Sequence, residues 1–191
     1  MRNDKGIVVA IEGPSGVGKD TVIKGLINTY PNMFKKVPST TTREMRVGES
    51  QGDPYFFVDE PTFKKMIESG EVFEHTIRHG QYRGMSLNHF DNIISQGIIP
   101  LKDCDKVGLD ALRGVYGDRV FSIFITCPKE EIEKRLIGRG DSGEDLKTRL
   151  NNFDEYIKNQ VYFDTVVENI DLSKAVADVY NKIMDFYESL S

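Results

Sequence analysis

The segment that most constrains the fold is a glycine-rich turn placed between an apolar run and a segment of helical period. Residues 7–11 (IVVAI) form a short run rich in β-branched side chains, and residues 13–19 (GPSGVGK) follow almost directly. From Lys19 to Tyr30 the apolar residues recur at helical spacing, and Pro31 ends the segment. The pattern predicts a buried parallel strand, a tight turn and a helix, in that order.

The rest of the chain repeats this alternation of strand-like and helix-like segments, with one interruption. Residues 120–126 (VFSIFIT) give the clearest strand, residues 146–161 and 172–190 are predicted helices, and residues 165–167 are a further strand. Such alternation favours an α/β fold in which a parallel sheet carries helices on both faces. Residues 36–88 are polar, rich in Thr and made of short β segments, and they predict a small inserted β-rich subdomain.

Net charge and the length of the apolar runs argue against two classes of protein. Asp and Glu total 30 against 25 for Lys and Arg, which gives a formal net charge of −5. Binding to nucleic acid through bulk charge needs a basic surface, so this balance disfavours a nucleic-acid binder but leaves a small anionic ligand open. No apolar run approaches the ~18 residues of a membrane span, and Cys104 and Cys127 lack metal-site spacing. We therefore predict a single cytoplasmic domain with two free thiols and no membrane contact.

The glycine-rich turn fits the pattern G-x-x-x-x-G-K, in which backbone N–H groups surround an anion at a helix N-terminus. Its lysine supplies a mobile cation for the β- and γ-phosphates of a nucleotide. The predicted phosphate-binding residues are Gly13, Pro14, Ser15, Gly16, Val17, Gly18, Lys19, Asp20 and Thr21.

Asp20 departs from that pattern, which has Ser or Thr after the lysine. The hydroxyl of the pattern binds Mg²⁺, and a carboxylate oxygen is also a suitable ligand for this ion. Two interpretations stay open: Asp20 takes part at the metal, directly or through water, or it repels a phosphate and weakens the loop. Participation is the working hypothesis, and an unchanged Mg²⁺ dependence in Asp20→Ser would contradict it.

A second candidate anion site follows the Thr-rich turn at residues 39–42. Arg43 and Arg46 lie three residues apart, and guanidinium groups bind phosphate through two parallel hydrogen bonds. Tyr55 can add a hydroxyl. Paired arginines beside a Thr-rich turn, downstream of a phosphate loop, favour a second anion site over an ordinary basic loop.

Taken together, these motifs resemble the guanylate kinase family over nearly the whole chain. The resemblance rests on the loop, on residues 39–49 (STTTREMRVGE) and 52–58 (GDPYFFV), and on residues 70–74 (GEVFE). It implies transfer of a phosphoryl group from ATP, with Mg²⁺, to GMP or dGMP, by a monomer or a homodimer. It also implies three parts, namely a core at residues 1–35, 89–138 and 162–191, an acceptor-binding subdomain at 36–88 and a lid at 139–161.

The resemblance assigns roles to individual residues. The implied acceptor contacts are Ser39, Arg43, Arg46, Tyr55, Glu74, Tyr82, Arg83, Gly84 and Asp105. Of these, Glu74 would accept hydrogen bonds from N1–H and the N2 amino group of guanine, a donor pair that adenine lacks. Asp103 would join Asp20 near Mg²⁺, and Asn169 would contact the adenine of ATP. The implied catalytic residues, which neutralise charge on the transferred phosphate, are Lys19, Arg43, Arg135, Arg139 and Arg149.

One segment departs from the family pattern Y-Y-G-[ST], and it is Tyr82-Arg83-Gly84-Met85 in this chain. Met85 stands where the family has a hydroxyl near guanine O6, and a thioether is a poor hydrogen-bond partner. That contact is lost unless Ser86 or water replaces it, at a cost of ~0.5–1.5 kcal/mol for one neutral hydrogen bond. Arg83 is a candidate to compensate, at the phosphate or at O6.

Two other functions stay open at this point. Related ribose bisphosphate kinases also carry a G-K-D loop, and Met85 weakens the recognition of guanine. The arginine pair with Tyr55 and Glu74 is, however, the pattern of a nucleotide acceptor. Non-catalytic guanylate-kinase-like modules that bind phosphopeptides are the second alternative, but they usually lack a working phosphate loop, whereas Lys19 is present here.

Overall fold

The computed structural model of the chain describes residues 6–138, 140 and 142–190, with the backbone alone at residue 145. Arg139, one of the predicted catalytic residues, lies outside them. The described strands are β1 (Val8–Glu12), β2 (Phe34–Lys36), β3 (Ser39–Thr41), β4 (Ser50–Gln51), β5 (Pro54–Phe57), β6 (Val72–Arg78), β7 (Gln81–Ser86), β8 (Ile99–Asp103), β9 (Val120–Thr126) and β10 (Thr165–Glu168). The described helices are α1 (Lys19–Thr29), α2 (Glu60–Glu68), α3 (Leu87–Ser95), α4 (Lys106–Tyr116), α5 (Lys129–Gly138), α6 (Gly143–Tyr156) and α7 (Leu172–Ser189).

The first sheet has five parallel strands in the order β10-β9-β1-β8-β2, with β1 at its centre. Ile11 of β1 lies opposite Ile123 of β9 and Asp103 of β8. Every residue of β1 is buried, as expected for a parallel strand covered on both faces. The prediction of an α/β fold with a parallel sheet between helices is confirmed.

Side chains alternate between the two faces of this sheet and fill two cores. Val9 packs on one face with α1 and α7, for example with Leu26. Val8 packs on the other face with Phe90 of α3 and Leu109 of α4. The glycine-rich turn follows the carboxyl end of β1, which is the edge of an open parallel sheet where ligands bind.

A second, mixed sheet is formed by strands between residues 39 and 86, in the order β4-β5-β3-β7-β6. β3 pairs in parallel with β5 and antiparallel with β7, and β6 and β7 form a hairpin. Met85 of β7 is buried in the core that also contains α3 and α4, so this sheet is attached to the first through that core. Lys36, where the sequence placed the start of the insertion, is the last residue of β2 in the first sheet.

Some elements differ from the sequence prediction. The helix expected at residues 146–161 is α6, which ends at Tyr156 and is followed by a 3₁₀ turn at Ile157–Tyr162. β2 and β3 were not predicted, because strands of three residues are too short to leave a periodic pattern. Cys104 and Cys127 are free thiols, as predicted. None of the helices within the described ranges has the length and apolarity needed to cross a bilayer.

Candidate active site

Two side chains that are distant in sequence hold the glycine-rich turn between β1 and α1 through hydrogen bonds to its backbone. Gly16 and Gly18 both have φ of +87°, which residues with a side chain rarely adopt. Val17 between them is buried, and its carbonyl oxygen accepts hydrogen bonds from Nδ2 of Asn169 at 2.8 Å and from Nη1 of Arg135 at 3.2 Å. The loop is therefore shaped before any ligand binds.

Arg135 connects this loop to other segments of the chain through further hydrogen bonds. Its guanidinium also donates to the carbonyl oxygens of Asn169 at 2.9 Å and Ile170 at 3.2 Å, and it pairs with Glu131 at 3.1 Å. The guanidinium thus joins the loop to the segment that follows β10. Arg135 and Asn169, which the sequence assigned to ATP and the transferred phosphate, both contact the loop itself.

Gly13 is the loop position with the least room. A Cβ there would lie 2.3 Å from the carbonyl oxygen of Ile125 in β9. We expect Gly13→Ala to lower the free energy of unfolding by about 1–3 kcal/mol, because a backbone oxygen cannot move aside as a flexible side chain can. Gly114→Ala in α4 is the control, since a Cβ there would have nothing within 4 Å and Ala is favoured in a helix. Urea unfolding measures both variants, and a Gly13→Ala protein as stable as wild type would contradict the expectation.

A cleft of about 450 Å³ lies in front of the loop. All the predicted phosphate-binding residues except Val17 line it, together with Arg149, Phe153 and Tyr156 of α6. Nη1 of Arg149 donates to Oγ of Ser15 at 3.1 Å, so α6 reaches over the loop. This cleft is the candidate site for a nucleoside triphosphate.

A second cleft, of about 470 Å³, adjoins the first. Lys19 and Tyr156 line both clefts, so the two cavities meet at the loop lysine. Arg46 is exposed between β3 and β4 and does not belong to this lining as far as the described residues go. The other predicted acceptor residues do line it, namely Ser39, Arg43, Tyr55, Glu74, Tyr82, Arg83, Gly84 and Asp105. Two cavities on either side of one lysine permit transfer of a group between two bound molecules.

Two guanidinium groups flank Tyr55 in the second cleft. Cζ of Arg83 lies 4.6 Å, and Cζ of Arg43 5.4 Å, from the centre of its ring. Nη2 of Arg43 is held by Glu49 at 2.7 Å, and Glu49 also accepts the backbone N–H of Arg46 at 2.8 Å. One carboxylate therefore orders the loop after β3 and holds Arg43 in place. Ordered guanidinium groups suit a phosphate that arrives with its own negative charge.

Glu74 of β6 and Met85 of β7 lie in the same cleft. Burial raises the pKa of the Glu74 carboxyl, and the negative charge of Asp105 adds to this, while Lys102 opposes it. A Cβ on Gly84 would lie 2.5 Å from the carbonyl oxygen of Glu74, so the two strands approach closely here. The cleft thus presents a carboxylate acceptor, without a hydroxyl at Met85, to a group that carries N–H donors.

Lys102 is a cleft residue that was not predicted from the sequence. It lies in β8, is 2% exposed, and its Nζ donates to Oγ of Ser39 at 2.7 Å and to the carbonyl oxygen of Val37 at 3.2 Å. Burial lowers the pKa of Lys102 to about 8. The available signal was a lysine in the middle of an apolar run. The face of the strand that meets the cleft is set by tertiary packing, which the sequence does not show.

Asp20 and Asp103, the predicted magnesium ligands, meet at Lys36. Nζ of Lys36 lies 3.0 Å from Oδ1 of Asp20 and 3.8 Å from Oδ1 of Asp103. Partial burial opposes ionisation of Asp20, but the hydrogen bond and charge of Lys36 outweigh it and hold the pKa of Asp20 below its usual value.

The two carboxylates fit Mg²⁺ as part of a site. Mg²⁺ is usually bound by one or two carboxylates together with waters and substrate phosphates, and these carboxylates converge on one cation. Across the described ranges no group of three or more His, Cys, Asp or Glu residues could hold a metal. The phosphates of a bound nucleotide would therefore have to complete the site.

Glu12 and Tyr156 form a second feature that was not predicted. Glu12 ends β1, is 2% exposed, and its carboxylate oxygens have no hydrogen-bond partner within the described part of the chain. Burial raises the pKa of Glu12, and the nearby phenol of Tyr156 and ammonium of Lys19 oppose this only in part. A carboxyl group whose pKa is raised by burial therefore lies beside Tyr156, a residue that lines both clefts.

We expect Glu12→Gln to raise the free energy of unfolding by about 1–3 kcal/mol, because it removes a carboxylate whose ionised form is disfavoured by burial more than its neighbours favour it. The pKa of Glu12 is higher in the folded than in the unfolded chain, so the wild type loses stability as pH rises through that pKa. The gain is therefore largest at about pH 8 and shrinks toward about pH 5. Denaturant unfolding at both pH values measures it, with the exposed Glu133→Gln as the control. A destabilised Glu12→Gln at the higher pH would contradict the expectation.

Comparison with known proteins gives one consistent result. A family model described as guanylate kinase matches residues 5–186. Guanylate kinase of Symbiobacterium thermophilum is 35% identical over 182 residues, which cover 94% of this chain and 85% of that protein. Guanylate kinase of Prochlorococcus marinus is 36% identical over 181 residues, which cover 94% and 97%. The crystal structure of guanylate kinase from Anaplasma phagocytophilum has a TM-score of 0.69 and 25% identity, over 96% of this chain and 87% of that chain.

Proposed function

This chain belongs to the guanylate kinase family, and we propose that its two clefts carry out the reaction ATP + GMP → ADP + GDP. The observation that carries the proposal is that Lys19 lines both clefts, so that two phosphorylated molecules share one cation. The family membership supplies the reaction, a phosphotransfer between nucleotides, and the clefts supply a place for each substrate.

In this reaction an oxygen of the GMP phosphate attacks the γ-phosphorus of ATP. The bond from that phosphorus to the β,γ-bridging oxygen breaks, ADP leaves and GDP forms, without a covalent intermediate on the protein. The barrier is lowered by holding the two phosphates in line and by neutralising the charge that spreads over the γ-phosphoryl oxygens. We assign this neutralisation to Lys19, Arg43, Arg149 and Arg139, and we assign Arg135 to holding the loop.

For the acceptor, we assign recognition of the guanine base to Glu74, which can accept from N1–H and the N2 amino group. Its phosphate is assigned to Ser39, Arg43, Tyr55, Tyr82 and Arg83, with Arg46 joining when the loop after β3 closes. Adenine offers no such donor pair, so AMP would leave this carboxylate without a partner, which a hydrogen-bonding site rejects strongly.

The proposal also includes closure. The segment at residues 36–88 is assigned to binding the acceptor and the segment at residues 139–161 to a lid over the nucleotide. Their approach would exclude water from the γ-phosphate and so limit hydrolysis of ATP. The hydrogen bond from Arg149 of α6 to Ser15 of the loop supports this assignment, because it gives the lid helix a contact across the nucleotide cleft.

Mg²⁺ bound with ATP would be held by Asp103 and Asp20, and it would neutralise charge on the β- and γ-phosphates. Lys36 bridges these two carboxylates, so it would give up one of them when the ion binds. The hard oxygen donors of the pair support this assignment over a softer metal.

The two alternatives raised by the sequence are not favoured. A ribose bisphosphate acceptor has no N–H groups, so the carboxylate of Glu74 would have no hydrogen bond to accept from it. A non-catalytic binding module would have no use for a nucleotide cleft that keeps its loop lysine and an arginine from α6. We further propose a cytoplasmic enzyme, monomeric or homodimeric, that acts on ATP and on GMP or dGMP, with neither nucleic acid nor membrane as a partner; light scattering would decide the oligomeric state.

An ADP-release assay tests the function directly. Purified protein with ATP and Mg²⁺ is supplied in turn with GMP, dGMP, AMP, UMP or ribose bisphosphate. We expect turnover with GMP and dGMP and little with the other acceptors. Turnover with ribose bisphosphate and none with GMP would replace the acceptor, and no turnover with any acceptor would leave only a binding function.

A further inference from the structure

Lys102 is a buried ammonium group for which no salt bridge is found among the described residues. It is 2% exposed, and the structure records two hydrogen bonds for its Nζ, both to neutral oxygens, and no ion pair within the described residues. A buried charge without an ionic partner is costly. Lys102 lines the acceptor cleft, and with Ser39 and Arg83 it also lines an adjoining groove, so an anion bound in the acceptor cleft can reach it.

The hydrogen bond from Lys102 to Ser39 determines where the hydroxyl proton of Ser39 can point. Oγ of Ser39 accepts a hydrogen bond from Nζ of Lys102 at 2.7 Å, so the hydroxyl proton is left to donate elsewhere. Ser39 is itself 5% exposed and lines the acceptor cleft. An anion in the cleft would therefore meet a hydroxyl donor and an ammonium that are already joined to each other.

The charged groups around Lys102 favour an anion on this side of the cleft. Arg83 adds a second positive charge nearby, and Asp103, whose negative charge acts most strongly on Lys102, also pairs with Lys36 at 3.8 Å. Glu74 lies in the same cleft, and its carboxyl group also interacts electrostatically with Lys102. The cleft thus contains both a positive group, at Lys102, and an acidic group, at Glu74, which suit the phosphate and the N–H donors of a nucleotide.

We propose that Lys102 is a specificity-determining residue that positions the acceptor's phosphate: it holds the Ser39 hydroxyl with its proton turned into the cleft and provides a buried positive charge for the phosphomonoester. The inference rests on the proposed function, and it adds that the affinity for the acceptor depends on its phosphate through Lys102.

Binding of GMP and of guanosine, measured by calorimetry, tests this assignment, because guanosine has the same base and ribose without the phosphate. The variants are Lys102→Met, which keeps length and removes charge, and Lys35→Met, which removes a neighbouring exposed charge as the control. Lys102→Met should weaken GMP binding about 10–100-fold, the value of one or two hydrogen bonds to a charged group, and change guanosine binding less than about twofold. KM for GMP should rise while KM for ATP stays unchanged.

A double-mutant cycle separates positioning from a general structural effect. Ser39→Ala should weaken GMP binding in the wild type and have a smaller effect in Lys102→Met, since the hydroxyl is no longer oriented there. Equal loss of GMP and guanosine affinity, or additive effects of the two substitutions, would overturn the proposal. If Lys102→Met does not fold, Lys102→Gln keeps a donor without the charge and must show the same selective loss of GMP binding. A wild type that does not prefer GMP over guanosine would instead refute the proposed function.

Discussion

Replacement of Lys19 by Met is expected to lower kcat/KM for phosphoryl transfer about 10³-fold or more. Lys19 lines both clefts, and the proposed function puts its ammonium beside the phosphoryl group that passes from ATP to the acceptor. In the loose transition state the negative charge spreads over the oxygens of that group, and a preorganised cation stabilises it more than the ground state. Met has a similar length and no charge, so the loss measures the charge and not the packing.

The control for this substitution is Lys24→Met in the same helix. Lys24 lines an adjoining groove, which shares Asp20 with the nucleotide cleft and Ser39 with the acceptor cleft, and it lines neither of the two clefts in the described structure. The kcat/KM of the Lys24→Met variant should stay within about twofold of the wild-type value, as for most surface substitutions. Both variants are measured by ADP release, with thermal melting to confirm folding. Retention of a tenth or more of the activity in Lys19→Met would remove this lysine from the mechanism.

The sequence was sufficient for those parts of the fold and site that are encoded locally. The strand, turn and helix around Gly13 to Lys19 are contiguous, and each has its own signal in apolar period and glycine spacing. The parallel sheet could be predicted from the alternation of strand-like and helix-like segments alone, because helical connections between successive strands allow few other topologies. The family resemblance rested on motifs of the same kind, and the comparisons confirm it.

The features that the sequence did not reveal depend on contacts between distant segments. The hydrogen bond from Lys102 to Ser39 joins residues 63 positions apart. From its sequence position Arg135 was predicted to bind the transferred phosphate. Its guanidinium instead donates to the carbonyl oxygens of Val17, Asn169 and Ile170. Tertiary packing decides which charged side chains line a cleft and which only hold its loop in place. The period of apolar residues in the sequence carries no information on this.

Glu74→Gln is expected to raise KM for GMP about 10²–10³-fold, because a site built to accept two N–H donors loses both a hydrogen bond and its charge. In the proposed complex the carboxylate offers two acceptor oxygens to N1–H and the N2 amino group of guanine. Glutamine offers one acceptor and turns an N–H donor toward a donor of the base. KM for ATP should stay unchanged, since Glu74 does not line the nucleotide cleft in the described structure.

The pH dependence of the same residue gives a second, independent readout. Burial, with the negative charge of Asp105, raises the pKa of Glu74, so the carboxyl gains its proton at a higher pH than an exposed glutamate does. A protonated carboxyl no longer offers two acceptors, and KM for GMP in the wild type should rise as pH falls toward that pKa. Glu74→Gln should lose this dependence, whereas Glu68→Gln, exposed at the end of α2, should keep it. If Glu74→Gln keeps both the wild-type KM and the wild-type pH profile, the guanine base is not bound by this carboxylate.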